Sequence, residues 1–449
     1  MTHPRLSPLG LALAAVLAPV AAPEAALAQS PSGFNCDAYE FSSALPSVEG
    51  KEGVFFRTFA DLRLQHPMDQ RTISLLGKLA KVLEENGTTL VYVTIPAKSQ
   101  AMAQYLPDRA AEYGFDPEMA EMIYTDIVDR MSAVGIVAPD IMTALQNVKG
   151  DERAFFGADF HWTSEGARSA ASAIATAIKA HPAYADLVPA GYESKPLGKQ
   201  VAFSGMRRTL QSFCVDALPT TETMAFKTVP VEAAGAAVGA LDIFAGSGAT
   251  VPAVLVGTSF SDSSINNFGG FLNEYTGLDI VNYAITGGNQ FGAMTSYLTS
   301  DEFRDQRPRF LIWENPVYNN LAQYGSAPLE ELIAAAGTTC AQPLAAEKED
   351  DYTLVASLVG QKITPEDAIF ADFGAEGARM ASFELVTTDG ITRKSKIERG
   401  ERLRGTGNFY LGLSPFRHAG FTEVTVRFDR PVSDTTQLTY CTGPKGDAS

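Results

Sequence analysis

The sequence predicts an α/β domain built on a doubly wound parallel sheet, followed by a second, smaller C-terminal β-sandwich domain. Apolar, β-branched runs alternate with helical segments over most of the chain. These runs are continuously hydrophobic, as in parallel strands that are covered on both faces. After about residue 335, short strand patterns follow one another with no helix between them. At 449 residues the chain is also too long for one ordinary core, so two domains are expected.

The strands and helices of the α/β domain can be read from hydrophobic spacing. The predicted strands are residues 88–96, 135–139, 251–257, 278–285 and 308–313. Residues 73–85 and 167–178 have apolar side chains at helical spacing, and Thr163 or Ser164 is a suitable N-cap for the second helix. Strands that alternate with helices indicate a doubly wound sheet.

The C-terminal strands are short and separated by turn residues. Examples are residues 351–359, 381–387, 408–413 and 421–428, the last of which alternates strictly between apolar and polar side chains. This pattern is typical of a β-sandwich. We place the boundary within residues 334–349, which gives domains at 29–335 and 336–449. Residues 182–250 have weak patterning and are expected to form an irregular insertion.

The first 28 residues predict a signal peptide. Arg5 precedes an apolar, alanine-rich run from Leu9 to Val20, and Ala26-Leu27-Ala28 is a small-x-small cleavage site. The run is short for a membrane helix. We therefore expect a soluble, exported protein that begins near Gln29.

The cysteines and the net charge narrow the function further. Four cysteines in an exported chain suggest two disulfides, and three pairings are possible. If each domain closes its own bond, Cys36 pairs with Cys214 and Cys340 with Cys441. The formal net charge of −17 argues against nucleic-acid binding, and it disfavours a polyanionic ligand unless basic residues cluster locally.

An acid and a histidine lie two positions apart just before a predicted helix. The stretch is Phe-Phe-Gly-Ala-Asp-Phe-His-Trp-Thr-Ser-Glu-Gly, residues 155–166. Asp159 can orient the ring of His161 and stabilise its charged form. A simpler interpretation is a histidine that packs or caps a helix start. Few histidines compete for a catalytic role, since those beyond the leader are His66, His161, His181 and His418.

A nucleophile for His161 follows the strand at 251–257. Gly-Thr-Ser-Phe-Ser, residues 257–261, places Ser259 at a strand end, where sites form in open α/β sheets. A helix predicted at 265–275 would turn backbone N–H groups toward a developing oxyanion. Ser261 replaces the second glycine of a GxSxG elbow. On its own, Ser259 could equally be a helix cap.

Two further strand ends carry residues of interest. Gly287 and Gly288 lie in Asn-Tyr-Ala-Ile-Thr-Gly-Gly-Asn, residues 282–289, where glycine allows close backbone approach and amide donation. A plain strand-to-helix turn explains them equally well. Glu314 follows Trp313 at the last strand end, and we expect it to support the structure.

Together these motifs resemble the periplasmic alginate O-acetyltransferases of the AlgX/AlgJ type. Motifs at 50–57 (Gly-Lys-Glu-Gly-Val-Phe-Phe-Arg), 95–96 (Ile-Pro), 159–163, 257–261 and 313–316 occur in the order seen in that family. The resemblance covers about residues 45–320 and implies an SGNH-hydrolase-like domain in which Asp-x-His precedes the serine. The second half looks like the AlgX branch, which adds a carbohydrate-binding module. Two intradomain disulfides would fit that branch.

The resemblance implies a role for each site residue. Ser259 would be the nucleophile that carries the acetyl group, His161 the general base, and Asp159 the residue that holds the His161 tautomer. The amides of Ser259 and of Gly287 or Gly288 are oxyanion-hole candidates, the glycines by position alone. No cofactor or metal is implied. The expected partners are an exopolysaccharide acceptor, a membrane-bound O-acyltransferase that supplies acetyl groups, and a polysaccharide export complex.

A basic segment in the predicted β-sandwich could bind uronate carboxylates. Phe409 and Tyr410, just beyond it, could stack on sugar rings. The alternative is a solvated loop. The polysaccharide-binding candidates are Arg393, Lys394, Lys396, Arg399, Arg402, Arg404 and Tyr410.

Other functions share much of this pattern. A carbohydrate esterase that removes acetyl groups would use the same three residues. A polymer-binding scaffold of an export complex would keep the fold without the activity. Asp159 and His161 could also bind a metal, but the chain has few histidines and no second ligand cluster.

Overall fold

The structure is a computed structural model that describes residues 32–66, 68–148, 153–231, 251–416 and 420–444. The predicted signal peptide, residues 1–28, lies outside the described residues, and so does His418. None of the described helices is long and apolar enough to cross a membrane.

The α-helices of the described residues lie mainly in the first three quarters of the chain. They are α1 Gln70–Glu85, α2 Lys98–Ala101, α3 Pro117–Ala133, α4 Met142–Gln146, α5 Ser164–Ala180, α6 Gly205–Gln211, α7 Ser259–Asp262, α8 Phe268–Thr276, α9 Gly292–Leu298, α10 Asp301–Asp305 and α11 Ala327–Gly337.

The β-strands of the described residues form one parallel sheet, two two-stranded antiparallel sheets and two larger C-terminal antiparallel sheets. They are β1 Ser47–Glu49, β2 Phe55–Arg57, β3 Thr89–Ile95, β4 Tyr192–Val201, β5 Glu222–Pro230, β6 Ala253–Val256, β7 Ile280–Asn282, β8 Phe310–Pro316, β9 Thr339–Pro343, β10 Ala346–Asp350, β11 Thr353–Ser357, β12 Ala368–Asp372, β13 Met380–Thr387, β14 Thr392–Glu398, β15 Asn408–Gly412, β16 Phe421–Phe428 and β17 Gln437–Thr442.

The parallel sheet has the strand order β3-β8-β6-β7 and is covered on both faces. Alternate side chains, such as Tyr92 and Trp313, join a core with residues of α1, α3, α9 and α11. Their neighbours, such as Val93 and Ile312, join a second core with residues of α5 and α8. The continuous apolar runs follow from this two-sided burial. The predicted doubly wound α/β fold is confirmed.

Two local predictions were wrong. Residues 135–139 form no strand, and only Val137 makes a bridge, to Val91, because the segment soon turns into α4. Within 182–250 the described residues are not irregular, since β4 and β5 form a long antiparallel hairpin around α6. β4 is largely exposed and β5 is only partly buried, so neither strand has the continuous apolar pattern that reveals a buried strand.

The C-terminal region is a β-sandwich. A five-stranded sheet, β10-β11-β16-β13-β14, packs on a four-stranded sheet, β15-β12-β17-β9. Their inner faces share a core that includes Phe383, Val424, Ile369 and Leu411. Alternation along β13 and β16 arises because one face of the five-stranded sheet is buried and the other meets solvent.

The four-stranded sheet is buried on both faces along β15, β12 and β17, whereas its edge strand β9 is exposed. Its outer face places Phe370 and Tyr410 in the same core as α11, and their rings stack with centroids 4.4 Å apart. Residues 334–349, predicted to contain the domain boundary, hold the end of α11, all of β9 and part of β10. Phe409 and Tyr410 are 0% and 3% exposed, so neither ring can stack on a sugar. That prediction was wrong because the burial of a ring against a distant part of the chain produces no pattern in the local sequence.

Two disulfides close long loops. Cys340 bonds to Cys441 between β9 and β17, and Cys36 bonds to Cys214 just beyond α6. Each bond lies within one predicted domain. Disulfides persist in oxidising compartments, which is consistent with an exported protein.

A buried ion pair joins the β-sandwich to α11. The N–H groups on both terminal nitrogens of Arg399 donate to the carboxylate of Glu331, and Nη1 lies 2.9 Å from Oε2. The two side chains are only 6% and 7% exposed. Arg399 therefore cannot serve as a free cation for polysaccharide, and that prediction was also wrong. The same Glu331 carboxylate accepts the backbone N–H of Tyr410.

Removing one partner of this pair should strongly destabilise the protein. Arg399→Ala leaves the Glu331 charge buried and unpaired, so the free energy of unfolding should fall by about 3–5 kcal/mol. The double variant Arg399→Met/Glu331→Leu should lose much less. Urea unfolding measures both. Lys394→Ala breaks the exposed pair with Glu384 and is the control, with a change within about 0.5 kcal/mol. Equal effects of Arg399→Ala and Lys394→Ala would contradict the structural role of the buried pair.

Candidate active site

Asp159, His161 and Ser259 form a continuous hydrogen-bonded chain. His161 Nε2 lies 2.7 Å from Ser259 Oγ, and His161 Nδ1 lies 2.7 Å from Asp159 Oδ1. Asp159 Oδ1 also accepts the backbone N–H of His161 at 2.8 Å. The carboxylate thus fixes the ring so that Nδ1 carries a proton and Nε2 faces the serine hydroxyl. The two sequence motifs, 98 residues apart, meet in the geometry of an activated nucleophile.

The aspartate–histidine turn is held in place by its flanking aromatic residues. Phe155 and Trp162 form an antiparallel bridge across the turn, and Thr163 caps α5 by accepting the N–H of Gly166. The buried indole of Trp162 donates to the carbonyl of Phe260, next to Ser259. The tryptophan therefore connects the histidine turn directly to the serine turn.

Ser259 lies at the carboxyl end of the parallel sheet. It follows β6 and is the first residue of α7, with Thr258 as its N-cap. The first amides of a helix have no intrahelical acceptor, so the Ser259 N–H is free to donate to a ligand. This is the position that the strand-end argument predicts for a site.

Glu314 supports the turn that carries Ser259 through hydrogen bonds to residues on either side of it. Its buried carboxylate accepts the N–H of Thr258 at 2.8 Å and the hydroxyl of Ser261 at 2.8 Å. A Cβ on Gly257 would lie 2.5 Å from Glu314 Oε2, so only glycine leaves room for this contact. Burial raises the pKa of Glu314, although the hydrogen bonds from Thr258 and Ser261 oppose that shift. Glu314 therefore positions the turn without touching Ser259 Oγ, as its predicted supporting role requires.

Ser204 completes the hydrogen bonds of Asp159. Its hydroxyl donates to Asp159 Oδ2 at 2.5 Å. The Ser204 hydroxyl oxygen also caps α6, because it accepts the backbone N–H of Arg207. Burial alone would raise the pKa of Asp159, but His161 and Ser204 outweigh burial and hold the pKa below its usual value. Sequence reasoning missed Ser204, which lies in the segment of weak patterning. Its N-cap position before α6 was the available signal.

A buried lysine fixes the backbone of the same turn. Lys98 Nζ donates to the carbonyls of Phe55, Gly157 and Asp159 at 2.9, 2.7 and 2.9 Å. It follows β3 by three residues, so its place at the carboxyl edge of the sheet was the signal that sequence reasoning overlooked. Lys98 links β2 to the aspartate–histidine turn.

A cavity of about 550 Å³ opens beside Ser259 and His161. Phe203, Thr286 and Gly287 all line it, so one predicted glycine does reach the site. Gly288 does not serve as predicted, because its N–H donates to the carbonyl of Ile285 at 3.0 Å and is unavailable to an oxyanion. The described residues contain no cluster of three His, Cys, Asp or Glu side chains placed to hold a metal.

Most of the predicted cationic residues lie in ion pairs. Lys394 pairs with Glu384, Lys396 with Glu398, and Arg404 with Glu302 and Glu376. Arg393 lies on β14, where it is half-buried.

Arg402 differs from these residues because it lies beside the cavity. Its guanidinium donates to the carbonyl of Thr286 at 3.3 Å. It also fills the space over Gly287, where a Cβ would lie 2.5 Å from Nη1. The structure thus brings one of the six basic candidates against Thr286 and Gly287, which line the same cavity as Ser259.

Known proteins are similar to this chain in sequence and in fold. A family model described as "SGNH hydrolase-like domain, acetyltransferase AlgX" matches residues 48–317. The alginate biosynthesis protein AlgX of Pseudomonas aeruginosa is 32% identical over 276 residues, which are 62% of this chain and 56% of that protein. The probable alginate O-acetylase AlgJ of Pseudomonas putida is 30% identical over 254 residues, 55% of this chain and 62% of the relative. The match therefore spans little more than half of each relative.

The structural similarity extends beyond the region in which the sequences match. The solved structure of Pseudomonas aeruginosa AlgX superposes with a TM-score of 0.74 at 23% identity, and the match covers 89% of this chain and 95% of that one. The C-terminal β-sandwich is thus part of a known two-part architecture.

Stability should depend on pH through Lys98. Burial lowers the pKa of Lys98 to about 7. Between that value and about 10.4 the unfolded chain binds a proton that the folded chain lacks, so the free energy of unfolding rises with pH in this window. In Lys98→Met this contribution, up to about 1.4 kcal/mol per pH unit, should be absent. Urea unfolding between pH 6 and about 9.5 measures it. Lys394→Met, at an exposed site, should keep the wild-type slope. Parallel curves for wild type and Lys98→Met would refute the shift.

Proposed function

The chain belongs to the family of SGNH hydrolase-like AlgX acetyltransferase domains, and from that membership we propose that it is an exopolysaccharide O-acetyltransferase. The polymer would be alginate or a similar exopolysaccharide. The observation that carries this proposal is the hydrogen-bonded chain from Asp159 through His161 to Ser259. The proposal also draws on the relatives named for alginate biosynthesis and alginate O-acetylation.

In the first half-reaction Ser259 takes the acetyl group. His161 Nε2 accepts the hydroxyl proton as Ser259 Oγ attacks the acetyl carbonyl carbon of the donor. The amides of Ser259 and Gly287 donate to the oxyanion. The bond to the leaving group then breaks, the leaving group takes the proton from His161, and acetyl-Ser259 remains.

The second half-reaction reverses these steps with a sugar. His161 accepts the proton of a sugar hydroxyl, whose oxygen attacks the acetyl-serine carbonyl. The tetrahedral intermediate collapses, Ser259 Oγ recovers the proton from His161, and the acetylated sugar leaves. Asp159 stays ionised throughout and stabilises the imidazolium that forms in each half.

The cellular setting follows from the same proposal. The protein would act in the periplasm after loss of residues 1–28. Acetyl groups would reach it through a membrane-bound O-acyltransferase, and it could work within a polysaccharide export complex. Residues 29–335 would supply the chemistry, and residues 336–449 would act as a carbohydrate-binding module.

Ser259→Ala should abolish transfer. The purified protein is supplied with an activated acetyl ester and with uronate and neutral oligosaccharides, and mass spectrometry reads acetylated sugar against free acetate. The rate should fall at least about 10³-fold because the nucleophile is gone. Ser263→Ala, in the same loop, is the matched control and should stay active. Serine-dependent free acetate without acetylated sugar would indicate an esterase, and no serine-dependent product would indicate a binding scaffold.

Arg402 should matter more than the other basic residues of the β-sandwich. If a uronate carboxylate meets the guanidinium beside Gly287, Arg402→Gln should weaken uronate affinity by roughly tenfold, the effect of one charge-assisted hydrogen bond. Lys396→Gln, whose ammonium already pairs with Glu398, is the control. Equilibrium binding of an oligouronate measures both. Equal loss in the two variants would point to net charge and away from a specific contact.

A further inference from the structure

An exposed aromatic ring stands at the rim of the catalytic cavity. Phe203 is 76% exposed, although large apolar side chains are usually buried. It lines the same cavity as Ser259 and His161. Its neighbour in sequence, Ser204, donates to Asp159. The position of Phe203 is therefore fixed relative to Asp159 by the adjacent Ser204.

The ring is held by a cation. The guanidinium carbon of Arg208 lies 4.4 Å from the centroid of Phe203, in a cation–π contact. Arg208 is itself exposed, so the pair presents both an apolar face and charged donors to solvent. Most of the phenyl ring remains open to a ligand.

The segment that carries this pair is rigid. Ser204 caps α6, and Arg207 donates to the carbonyls of Leu218 and Pro219, both at 2.7 Å. The disulfide between Cys36 and Cys214 anchors the chain just after α6. A ring fixed in this way loses little conformational freedom when it binds a ligand.

We propose that Phe203 and Arg208 form the platform on which the acceptor sugar stacks at the catalytic cavity. The C–H groups on one face of a pyranose ring pack on the electron-rich face of the phenyl ring, while the Arg208 guanidinium donates to sugar oxygens. The sugar hydroxyl would then face Ser259 across the cavity. This inference rests on the proposed transferase function and gives it an acceptor site whose stacking residues lie in the α/β domain, on the same cavity that Arg402 of the β-sandwich borders through Gly287.

Binding measurements in the Ser259→Ala protein test the platform without turnover. The probes are an alginate-derived mannuronate pentasaccharide and cellopentaose, which is neutral. Phe203→Ala should raise the dissociation constant for a bound saccharide by roughly fivefold to tenfold, and Phe203→Trp should restore binding. Arg208→Gln should weaken the uronate more than cellopentaose if both bind.

Phe59→Ala is the matched control. Phe59 is 77% exposed, close to the 76% of Phe203, and it also lies in the α/β domain, but it does not line the catalytic cavity. An unchanged dissociation constant in Phe203→Ala, equal losses in Phe203→Ala and Phe59→Ala, or failure of both saccharides to bind the parent protein would overturn the platform.

Cleavage of an activated acetyl ester, compared between wild type and Ser259→Ala, keeps the two proposals apart. If that cleavage depends on Ser259 while Phe203→Ala binds normally, only the platform fails. If it does not depend on Ser259, the proposed function itself fails.

Discussion

The site depends on the burial of one carboxylate. Asp159 is 2% exposed, and an ionised carboxyl group at that depth is stable only if its oxygens accept hydrogen bonds. Its donors are the backbone and ring of His161 and the hydroxyl of Ser204. The hydrogen bonds that the Asp159 carboxylate accepts therefore orient the histidine and also position the start of α6. Lys98 adds to this constraint by holding the backbone carbonyl of Asp159 itself.

Some parts of the site could be predicted from the sequence and others could not. Asp159, His161 and Ser259 stand in short motifs before a helix or after a buried strand, and topology alone brings such positions to one edge of the sheet. Ser204 and Lys98 contribute single hydrogen-bonding groups from distant segments. Their local signals, an N-cap position and a place just after β3, do not tell which group each side chain contacts. The parallel sheet was predictable because two-sided burial produces continuous apolar runs, whereas the exposed hairpin of β4 and β5 has no such pattern.

The basic segment shows the limit of reading charge from sequence. Six cations in twelve residues suggest a binding strip. The structure disperses them, with Arg399 buried against Glu331, Arg404 paired on both sides, and Arg402 placed over Gly287. The outer face of the four-stranded sheet is buried against α11, which also hides Tyr410. This packing between the two regions decides which candidates can meet a ligand, and it brings Arg402 of the β-sandwich against Gly287, which lines the cavity beside Ser259.

The central claim is that Ser259 carries the acetyl group. The most direct measurement is rapid acid quenching of the protein with an activated acetyl ester, followed by peptide mass spectrometry. The account predicts one acetyl group on Ser259, formed in the wild type and absent in His161→Ala, with Asp159→Asn strongly slowed. Acetylation of another residue, or turnover with no acetylated serine under any quench time, would contradict it.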